Sequence, residues 1–446
     1  MRVLIVDADC TGLDFALRCA DWGHEVKWAI PRDLKGGLGL LGKDCKDIQR
    51  VSDWMSHAAW AKDGIIFPTC NNRHIENLWR CRKHGLPVIG PTPMSASLEI
   101  DRTRGMDLFD AAEIQTPPFE AFNSLKEAEK HVRKTGERYV FKTLGSEEDK
   151  SLSYVSKGAA DLVGRLQSWQ KQGLKLKGPC MLQEFIPGIE VGISAWMGRE
   201  GFIKNKYNIA FEFKKLMPGN YGPNTGEMGT VIQYVKKDPL YDALLEPLEP
   251  YLVGLSHIGD FAMNAIVDSK GQPWVLEATA RAGWPHFFIV QGSHTGDPVE
   301  WMRDLWDGKD TLQVDRRVHI GAILAQPPFP YAKSSHECSE GVPVLGITDD
   351  IRSQVHPVSM MQATGPVQAT PGGPVTDGPI WRTTGDYVAC ISGAGHTVSR
   401  AKKDMMGVID QIQIPNMIMR QDIGDHLEHS LPKLHSYGMC LQMEYS

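Results

Sequence analysis

The alternation of apolar and polar residues over the first hundred positions predicts a doubly wound α/β domain. An apolar run from Val3 to Val6 predicts a buried strand, and Thr11-Gly12 begins an amphipathic helix that ends near Trp22-Gly23. Further strands are predicted, with a helix between the last two, at residues 25–30, 64–67 and 86–90. This order is typical of a parallel sheet covered by helices. We therefore predict a first domain over residues 1–97.

Between residues 98 and 318 the pattern predicts a different architecture. Helices are predicted at residues 98–112 and 125–134. Short apolar runs alternate with loops, which predicts strands at residues 139–142, 180–185, 190–196, 201–206, 261–267 and 274–277. Such a series suits antiparallel α+β packing better than a second doubly wound sheet. Residues 98–318 are therefore predicted to form a second domain.

The last part of the chain is predicted to be a small α+β domain with a tail. Proline and glycine interrupt the pattern at residues 327–330 and 365–378, before a strand at 387–392 and a helix at 398–412. We predict a domain over residues 319–424 and a tail over 425–446. A chain of 446 residues, 42% hydrophobic and 23% charged, has room for about three such domains.

Charge and composition exclude several classes of function. The net charge is -6 and no block of lysine and arginine is dense enough to follow a phosphate backbone, so nucleic acid is not expected as a partner. No window approaches the roughly 18 uncharged apolar residues of a membrane span. Nine scattered cysteines without a C-x-x-C pair suit reduced thiols, and therefore a cytoplasmic location. The pair His426-x-x-His429 has no third ligand nearby, which favours a solvated helix end over a metal site.

The segment from Asn264 to Arg281 carries the clearest chemical pattern. It predicts a hairpin that turns at residues 268–271 and places Glu277, Thr279 and Arg281 on one face of a strand. A carboxylate, a hydroxyl and a guanidinium side by side suit the binding of magnesium together with phosphate oxygens. Taken alone, the same pattern more often marks an ordinary exposed strand face with a Glu/Arg pair.

Three segments in the same order resemble the phosphoribosylamine-glycine ligases, a family of the ATP-grasp superfamily. Residues 277–283, Glu-Ala-Thr-Ala-Arg-Ala-Gly, resemble the family's E-F-N-x-R-x-G, and residues 222–229, Gly-Pro-Asn-Thr-Gly-Glu-Met-Gly, nearly match its G-P-N-T-G-G-M-G. Residues 383–424 resemble its closing segment, including the R-x-D-I-G ending. The resemblance implies an ATP-grasp domain in the middle of the chain. It also implies a ligase that activates a carboxylate as an acyl phosphate and couples it to an amine.

The resemblance also implies which side chains bind ATP and its metal. Lys142, Lys150 of the lid loop, Arg102 and Arg281 would contact phosphates, with Lys142 and Arg281 as the catalytic cations. Adenine and ribose would be held, in chain order, by Gln183, Glu184, Phe185, Ile186 and Glu190. A magnesium or manganese ion would be held by Glu277, Thr279 and Asn264. For Arg102 and for either lysine alone, a solvated surface position is the alternative, and for Asn264 a buried structural role.

The chain departs from this family mainly where substrates would bind. The family's N-terminal phosphate loop reads G-x-G-G-R-E-H, whereas residues 7–14 read Asp-Ala-Asp-Cys-Thr-Gly-Leu-Asp, which would repel a phosphorylated ribosylamine. The lid loop at 145–150 is likewise acidic. Thr279 replaces the usual asparagine, and Gly283-Trp-Pro-His286 replaces G-D-P-E. Candidate substrate contacts are Glu212, Lys214, Pro223, Asn224, Thr225 and Gly226, although a solvated strand face is an equal alternative for the first two.

The leading hypothesis is therefore an ATP-dependent carboxylate-amine ligase with a lid at about residues 138–188. It would use glycine or another small amino acid and an amine that differs from phosphoribosylamine. The runner-up is an authentic phosphoribosylamine-glycine ligase of purine synthesis. A hypothesis of another class is an inactive nucleotide-binding scaffold. The expected partners are small molecules, and the expected state is a monomer or homodimer.

Overall fold

A computed structural model of the chain describes residues 1–144, 152–331, 339–368 and 372–446. The chain begins with a four-stranded parallel sheet of strand order β3-β2-β1-β4. Its elements are β1 (Arg2–Val6), α1 (Leu13–Asp21), β2 (Glu25–Ala29), β3 (Ile48–Val51), β4 (Ile65–Pro68) and α2 (Ile75–Lys83). The predicted doubly wound opening is confirmed.

Two details of this sheet differ from the prediction. In place of the strand expected at residues 86–90, the structure has two isolated bridges, a parallel one between Ile66 and Val88 and an antiparallel one between Gly90 and Ile258. Pro87 has no N–H to donate, which shortens the pairing. Strand β3 was not predicted, because its sequence, Ile48-Gln-Arg-Val51, carries polar residues and lies at the sheet edge.

The helix predicted at residues 98–112 is two helices, α3 (Pro93–Ile100) and α4 (Arg102–Ala111). Asp101 separates them with an extended backbone, and its side chain accepts hydrogen bonds from the N–H groups of Thr103 and Arg104. Aspartate is a favoured N-cap residue because its carboxylate satisfies free N–H groups of the first turn. The cap therefore begins α4 at Arg102, a candidate site residue.

A small α+β unit follows and has a core of its own. It consists of β5 (Phe119–Phe122), α5 (Leu125–Thr135), β6 (Tyr139–Thr143), β7 (Tyr154–Val155), α6 (Ala159–Lys171) and β8 (Cys180–Glu184). The strands form an antiparallel sheet of order β5-β8-β6-β7, and both helices contribute buried apolar side chains to one cluster with Phe141 and Leu182. The predicted lid, at about residues 138–188, overlaps this unit, which starts earlier, at β5, and ends with β8 at Glu184. The loop at 145–150, with Lys150, lies outside the described residues.

The centre of the molecule is an antiparallel sheet of eight strands. The next elements along the chain are β9 (Ile189–Met197), β10 (Phe202–Glu212), β11 (Lys215–Met217), β12 (Tyr221–Asn224), β13 (Gly229–Val235), α7 (Pro239–Leu244), α8 (Glu249–Gly254), β14 (Gly259–Val267), β15 (Pro273–Thr279), α9 (His286–Ser293), β16 (His294–Thr295), α10 (Pro298–Trp306), β17 (Gln313–Val314) and β18 (Val318–Ala325). The expected antiparallel packing is confirmed by the pairing of these strands.

The remaining elements complete this sheet and add a second, smaller one. They are β19 (Glu340–Val344), β20 (Val355–Pro357), β21 (Met360–Gln368), β22 (Val375–Thr384), β23 (Tyr387–Gly395), α11 (Val398–Ile409) and α12 (Leu427–Ser436). The central sheet has the order β15-β14-β9-β10-β13-β18-β23-β20, and the smaller one β19-β22-β21. Strands from both sides of residue 319 thus share one sheet, while the division into domains there stays a prediction.

The C-terminal segment makes hydrogen bonds to the loop that follows β10. Arg420 is buried and donates hydrogen bonds to the carbonyl of Lys215 at 3.0 Å and to Oδ1 of Asn220 at 2.8 Å. Its charge is balanced by Asp422, whose Oδ2 also accepts from the N–H of Gly219 at 2.8 Å. The segment that resembles the family's closing motif therefore fixes the loop next to Lys214.

No helix in the described parts of the chain has both the length and the apolar character needed to cross a membrane.

Candidate active site

The side chain of Lys214 lies between three carboxylates from three strands of the central sheet. Its Nζ is 2.7 Å from Oε1 of Glu190, 3.1 Å from Oε2 of Glu212 and 3.6 Å from Oε1 of Glu277. The sheet order brings them together, because β9 pairs with β10 on one side and with β14, the neighbour of β15, on the other. Two residues that the resemblance assigns to the nucleotide and its metal, Glu190 and Glu277, therefore contact one cation.

The charge of Lys214 is strongly favoured in this arrangement. Burial by itself would lower the pKa of Lys214, but the negative charges of Glu212, Glu190 and Glu277 hold that pKa well above its ordinary value. Each carboxylate in turn depends on Lys214 to offset repulsion from the other two. The group therefore needs a positive charge at its centre, supplied here by an ammonium.

Asn264 is held against the same carboxylates. It pairs with Glu277 across β14 and β15, and its Nδ2 donates to Oε1 and Oε2 of Glu212 at 3.3 and 3.2 Å. Its Oδ1 points at Gly192, where an added Cβ would lie 2.6 Å from that oxygen. Glycine at this position on β9 therefore leaves space for the amide.

The oxygen donors around Glu277 fit a divalent cation that is shared with a nucleotide. Thr279 lies on the same face of β15 because strand side chains alternate. A carboxylate and a hydroxyl are ligands that magnesium accepts, and magnesium usually completes its shell with phosphate oxygens and water. The amide oxygen of Asn264 points at Gly192, and its role as a third ligand stays a prediction. Within the described ranges, no group of three or more His, Cys, Asp or Glu side chains is arranged to hold a metal by itself. The donor set suits a metal that arrives with phosphates.

Lys142 and Arg102 supply positive charge to this site from β6 and α4. Nη1 of Arg102 donates a 2.8 Å hydrogen bond to the carbonyl of Thr143, which holds the guanidinium beside β6. Burial, followed by repulsion from Arg102, lowers the pKa of Lys142 to about 8, and attraction to Glu277 opposes this change. Burial likewise lowers the pKa of Arg102, again opposed by Glu277. Two half-buried cations next to one carboxylate would be stabilised by an added polyanion.

Arg281 is positioned by a residue that sequence reasoning missed. Oε1 of Glu99 lies 3.2 Å from Nη2 of Arg281, and Oε2 of Glu99 accepts hydrogen bonds from the N–H of Ala280 at 2.9 Å and from Nδ2 of Asn71 at 2.6 Å. Glu99 lies on α3 and Asn71 follows β4, so elements that precede the central sheet support the arginine. No motif surrounds either residue, and the sequence contains no signal that singles them out.

The predicted adenine hinge follows the end of β8. The N–H of Glu184 donates to the carbonyl of Pro118 at 2.8 Å, and the buried side chain of Gln183 donates to the carbonyl of Pro117 at 3.4 Å. The guanidinium carbon of Arg138 lies over the ring of Phe185, 3.3 Å from the ring centroid. Because the Glu184 amide is engaged inside the protein, the predicted adenine contacts rest on the backbone of Phe185 and Ile186.

The glycine-rich loop at 222–229 supports Lys214. The N–H and Oγ1 of Thr225 donate to the carbonyl of Lys214 at 2.9 and 3.1 Å, and Lys215 pairs with Asn224 across β11 and β12. Pro223 is half-buried, whereas Asn224 and Gly226 are exposed. Direct contact of this loop with a substrate stays a prediction.

The loop after β1 contains an internal anion where a phosphate would bind in a doubly wound domain. The carboxylate of Asp7 accepts hydrogen bonds from the N–H groups of Thr11 at 3.1 Å and Gly12 at 2.7 Å. Nε1 of Trp28 and Oγ1 of Thr69 donate to it as well, each at 2.8 Å. Asp7 is fully buried. The backbone donors at the start of α1 are therefore already occupied.

Comparison with known proteins relates the chain to one family. The model of the phosphoribosylglycinamide synthetase ATP-grasp (A) domain matches residues 102–284. Phosphoribosylamine-glycine ligase of Ralstonia nicotianae is 24% identical over 431 residues, which cover 90% of this chain and 96% of that protein. The enzyme of the same name from Vibrio cholerae is 25% identical over 355 residues, 77% of this chain and 78% of that protein.

Solved structures show the same architecture. Phosphoribosylamine-glycine ligase from Thermotoga maritima superposes with a TM-score of 0.67 at 18% identity, covering 95% of this chain and all of that one (100%). L-amino acid ligase from Bacillus licheniformis superposes with a TM-score of 0.56 at 14% identity, covering 93% and 98% of the two chains. At these identities the likeness establishes the fold, in agreement with the predicted multidomain α/β and α+β architecture.

Proposed function

We propose that this chain, which is similar to the phosphoribosylamine-glycine ligases of the ATP-grasp superfamily, joins a carboxylate to an amine at the expense of ATP. The observation that carries the proposal is the proximity of Lys142 and Arg102 to Glu277, the first residue of the segment that contains Arg281. Cations beside an oxygen-donor set are what a triphosphate with its metal requires.

In this proposal the protein supplies no nucleophile. An oxygen of the substrate carboxylate attacks the γ-phosphorus of ATP, which forms an acyl phosphate and releases ADP. Lys142, Arg102 and Arg281 stabilise the negative charge that builds on the phosphate oxygens. Glu277, Asn264 and Thr279 would hold magnesium, which when bound supplies further charge neutralisation. The small unit from β5 to β8 would exclude water from the acyl phosphate.

Lys214 would act as a place-holder for the positive charge of the bound metal. Its contact with Glu277 is 3.6 Å, the longest of the three, whereas those with Glu190 and Glu212 are 2.7 and 3.1 Å. A nucleotide and its metal would compete for Glu190 and Glu277, and Lys214 would then remain with Glu212. The carboxylates would keep a countercharge in both states.

The amine is proposed to differ from phosphoribosylamine. The N–H groups of Thr11 and Gly12 form an anion cradle at the start of α1, and Asp7 fills it. A phosphate group on the amine would therefore meet a carboxylate there. Glycine or another small amino acid is the proposed carboxylate, as the resemblance to glycine-using ligases suggests.

The first experiment separates activation from coupling. The protein is incubated with ATP, magnesium, hydroxylamine and each of the twenty amino acids, and both ADP and hydroxamate are measured. We expect stoichiometric ADP and hydroxamate with at least one amino acid. Lys142→Met and Glu277→Gln should lower this rate at least 100-fold, whereas Lys126→Met, on an exposed face of α5, should not. Wild-type protein that forms no hydroxamate with any amino acid would contradict activation of these carboxylates.

An authentic phosphoribosylamine-glycine ligase is the second candidate, because curated relatives with that name match up to 90% of the chain. Expression in a purine auxotroph that lacks this enzyme tests it directly. Growth without added purine would support this candidate and would refute the proposed change of amine.

A catalytically silent nucleotide-binding scaffold is the third candidate. It is favoured by the ion pairs that Lys214 makes with Glu190 and Glu277, because these are carboxylates proposed to bind the nucleotide and its metal. Calorimetry with a non-hydrolysable ATP analogue and magnesium distinguishes it. Binding together with no turnover in any substrate mixture would support the scaffold.

A further inference from the structure

Three buried polar atoms next to the proposed active site have no hydrogen-bond partner among the described residues. They are Oε1 of Glu227, Oγ1 of Thr230 and Nε2 of His286. The three residues are 8%, 0% and 7% exposed. An unsatisfied buried polar atom costs about 1–3 kcal/mol, so three together point to a ligand that is not part of the chain.

Strand pairing places two of these residues beside Glu212. Thr230 pairs with Glu212 on one side and with Gly321 on the other. Glu227 immediately precedes Met228, whose carbonyl accepts a hydrogen bond from the N–H of Ile323 at 2.9 Å. Glu227 and Thr230 therefore both lie where β13 begins, next to the carboxylate that contacts Lys214.

Helix α9 runs along β18 in the direction that leads from His294 back towards this end of the sheet. A Cβ added at Gly321 would lie 2.5 Å from Cγ1 of Ile289, and one added at Gly292 would lie 3.8 Å from Nδ1 of His319. The helix thus crosses β18 in the antiparallel sense, with its end over His319 and its middle over Gly321. His286, one turn before Ile289, is carried towards Ile323 and the start of β13.

The charges around Glu227, Thr230 and His286 favour a cationic ligand with N–H donors. Burial, followed by repulsion from Glu212, raises the pKa of Glu227 well above its ordinary value, and Lys214 only partly offsets the effect. Burial lowers the pKa of His286 to about 4, so the imidazole is neutral at pH 7 and keeps one nitrogen as an acceptor. A carboxyl that Lys214 only partly compensates, a hydroxyl and a neutral imidazole can all accept hydrogen bonds.

We propose that Glu227, Thr230 and His286 form the subsite for the amine substrate, and that this subsite selects a small primary ammonium that carries no phosphate group. The proposal rests on the proposed ligase function and deepens it. The absence of phosphate follows from Asp7, which occupies the cradle at the start of α1. The positive charge follows from Glu227, whose carboxylate Lys214 compensates only in part while it pairs with three other carboxylates.

Two departures from the resembled family meet at this subsite. Glu227 stands where G-P-N-T-G-G-M-G has its third glycine, directly before the methionine. His286 stands where G-D-P-E has its glutamate. Across the gap between β13 and α9, a carboxylate has thus been gained on the strand side and lost on the helix side. Such a change alters which amine can bind and leaves the residues proposed to bind ATP unchanged.

In the coupling step, Glu227 accepts a proton from the bound ammonium and phosphate is the leaving group. The bound ammonium passes one proton to the carboxylate of Glu227, which frees the nitrogen lone pair. The nitrogen attacks the acyl carbon, a C–N bond forms and the C–O bond to phosphate breaks. The second nitrogen proton leaves with the phosphate, so that the products are an amide and inorganic phosphate.

The test uses an amino acid that gives hydroxamate with the wild-type protein. Amide formation is then measured with ethanolamine, O-phosphoethanolamine, putrescine and the twenty amino acids as amines. Hydroxylamine is largely unprotonated near neutral pH and needs no base, so it reports activation alone. The variants are Glu227→Gln, His286→Gln and, as a matched control, Glu200→Gln, an exposed residue in the turn at the opposite end of the β9–β10 hairpin.

We expect amide with at least one unphosphorylated amine and a rate at least 10-fold lower with O-phosphoethanolamine than with ethanolamine. Glu227→Gln should lower kcat/KM for the amine at least 100-fold and His286→Gln about 10-fold, while hydroxamate formation stays within twofold. Unchanged amine kinetics in Glu227→Gln, or amide with phosphorylated amines only, would overturn the subsite. So would hydroxamate formation without amide from any unphosphorylated amine. If the wild-type protein forms no hydroxamate at all, the ligase proposal itself fails, a result distinct from the others.

Discussion

Oε1 of Glu99 lies 3.2 Å from Nη2 of Arg281. The other oxygen of Glu99 accepts from Asn71, so the guanidinium is oriented by a helix and a loop that precede the central sheet. Glu99 is a positioning residue in the proposed mechanism, since it acts on phosphate only through Arg281. The same carboxylate also fixes the backbone of Ala280, and with it the end of β15.

Replacing Glu99 should weaken catalysis more than folding. Glu99→Gln retains hydrogen-bonding atoms but loses the charge that holds Arg281. Charge-assisted hydrogen bonds contribute about 1.5–3 kcal/mol, so we expect kcat for hydroxamate formation to fall about 10- to 100-fold. The melting temperature should change little. Glu76→Gln, on an exposed position of α2, serves as the control. Equal kcat values for the two variants would contradict the positioning role.

Removing the charge of Lys214 should create a site for a free divalent cation. In Lys214→Met the carboxylates of Glu190, Glu212 and Glu277 would repel one another without compensation. We expect a loss of stability on the order of 1–2 kcal/mol and binding of manganese without nucleotide, measured by calorimetry. Lys215→Met, next in the chain, is the control. A variant that binds manganese no better than the wild-type protein would argue against the place-holder role.

Removing the carboxylate of Asp7 should open an anion site at the start of α1. Asp7→Ala leaves the N–H groups of Thr11 and Gly12, the indole of Trp28 and the hydroxyl of Thr69 without their acceptor. We expect a lower melting temperature that sulfate partly restores, because sulfate can accept the same hydrogen bonds. The wild-type protein should gain less from sulfate at equal ionic strength. Equal responses would show that Asp7 does not fill an anion cradle.

Buried histidines should make the protein unstable in mild acid. Burial lowers the pKa of His257 to about 3, and those of His286 and His319 to about 4. Their pKa in the unfolded chain is about 6.5, so below that pH the unfolded state binds more protons and is favoured. The free energy of unfolding should be independent of these groups above pH 6.5. It should fall as the pH drops from 6.5 to 4, by at most about 1.4 kcal/mol per pH unit for each histidine.

His257 provides a direct test of the predicted loss of stability at low pH. His257 contacts Oγ of Ser95 at 3.0 Å and the carbonyl of Asp260 at 3.2 Å through its two ring nitrogens. Glutamine can make both kinds of hydrogen bond but takes up no proton. We therefore expect His257→Gln to lower the slope of unfolding free energy against pH between 5 and 6.5 by about one proton. Denaturant unfolding at several pH values measures it, and an unchanged slope would contradict the assignment.

Much of this protein could be predicted from local sequence. The apolar runs at residues 3–6 and 261–267 lie in strands, and the period-two alternation of β15 puts Glu277 and Thr279 on one face, because these patterns depend only on neighbouring residues. Short motifs pointed to the ATP-grasp fold for the same reason. The split of residues 93–111 into two helices was missed, although it too is local, because Asp101 acts as an N-cap inside an apparently continuous pattern.

Only the tertiary structure decided which distant residues share the site. The contacts of Lys214 with Glu190 and Glu277 depend on strand order and register, and the support of Arg281 by Glu99 depends on how α3 packs against β15. The side of β13 towards which α9 carries His286 depends on the direction in which the helix crosses β18. Such contacts are chosen by the burial of whole sheet and helix faces, and no short window of sequence carries that information.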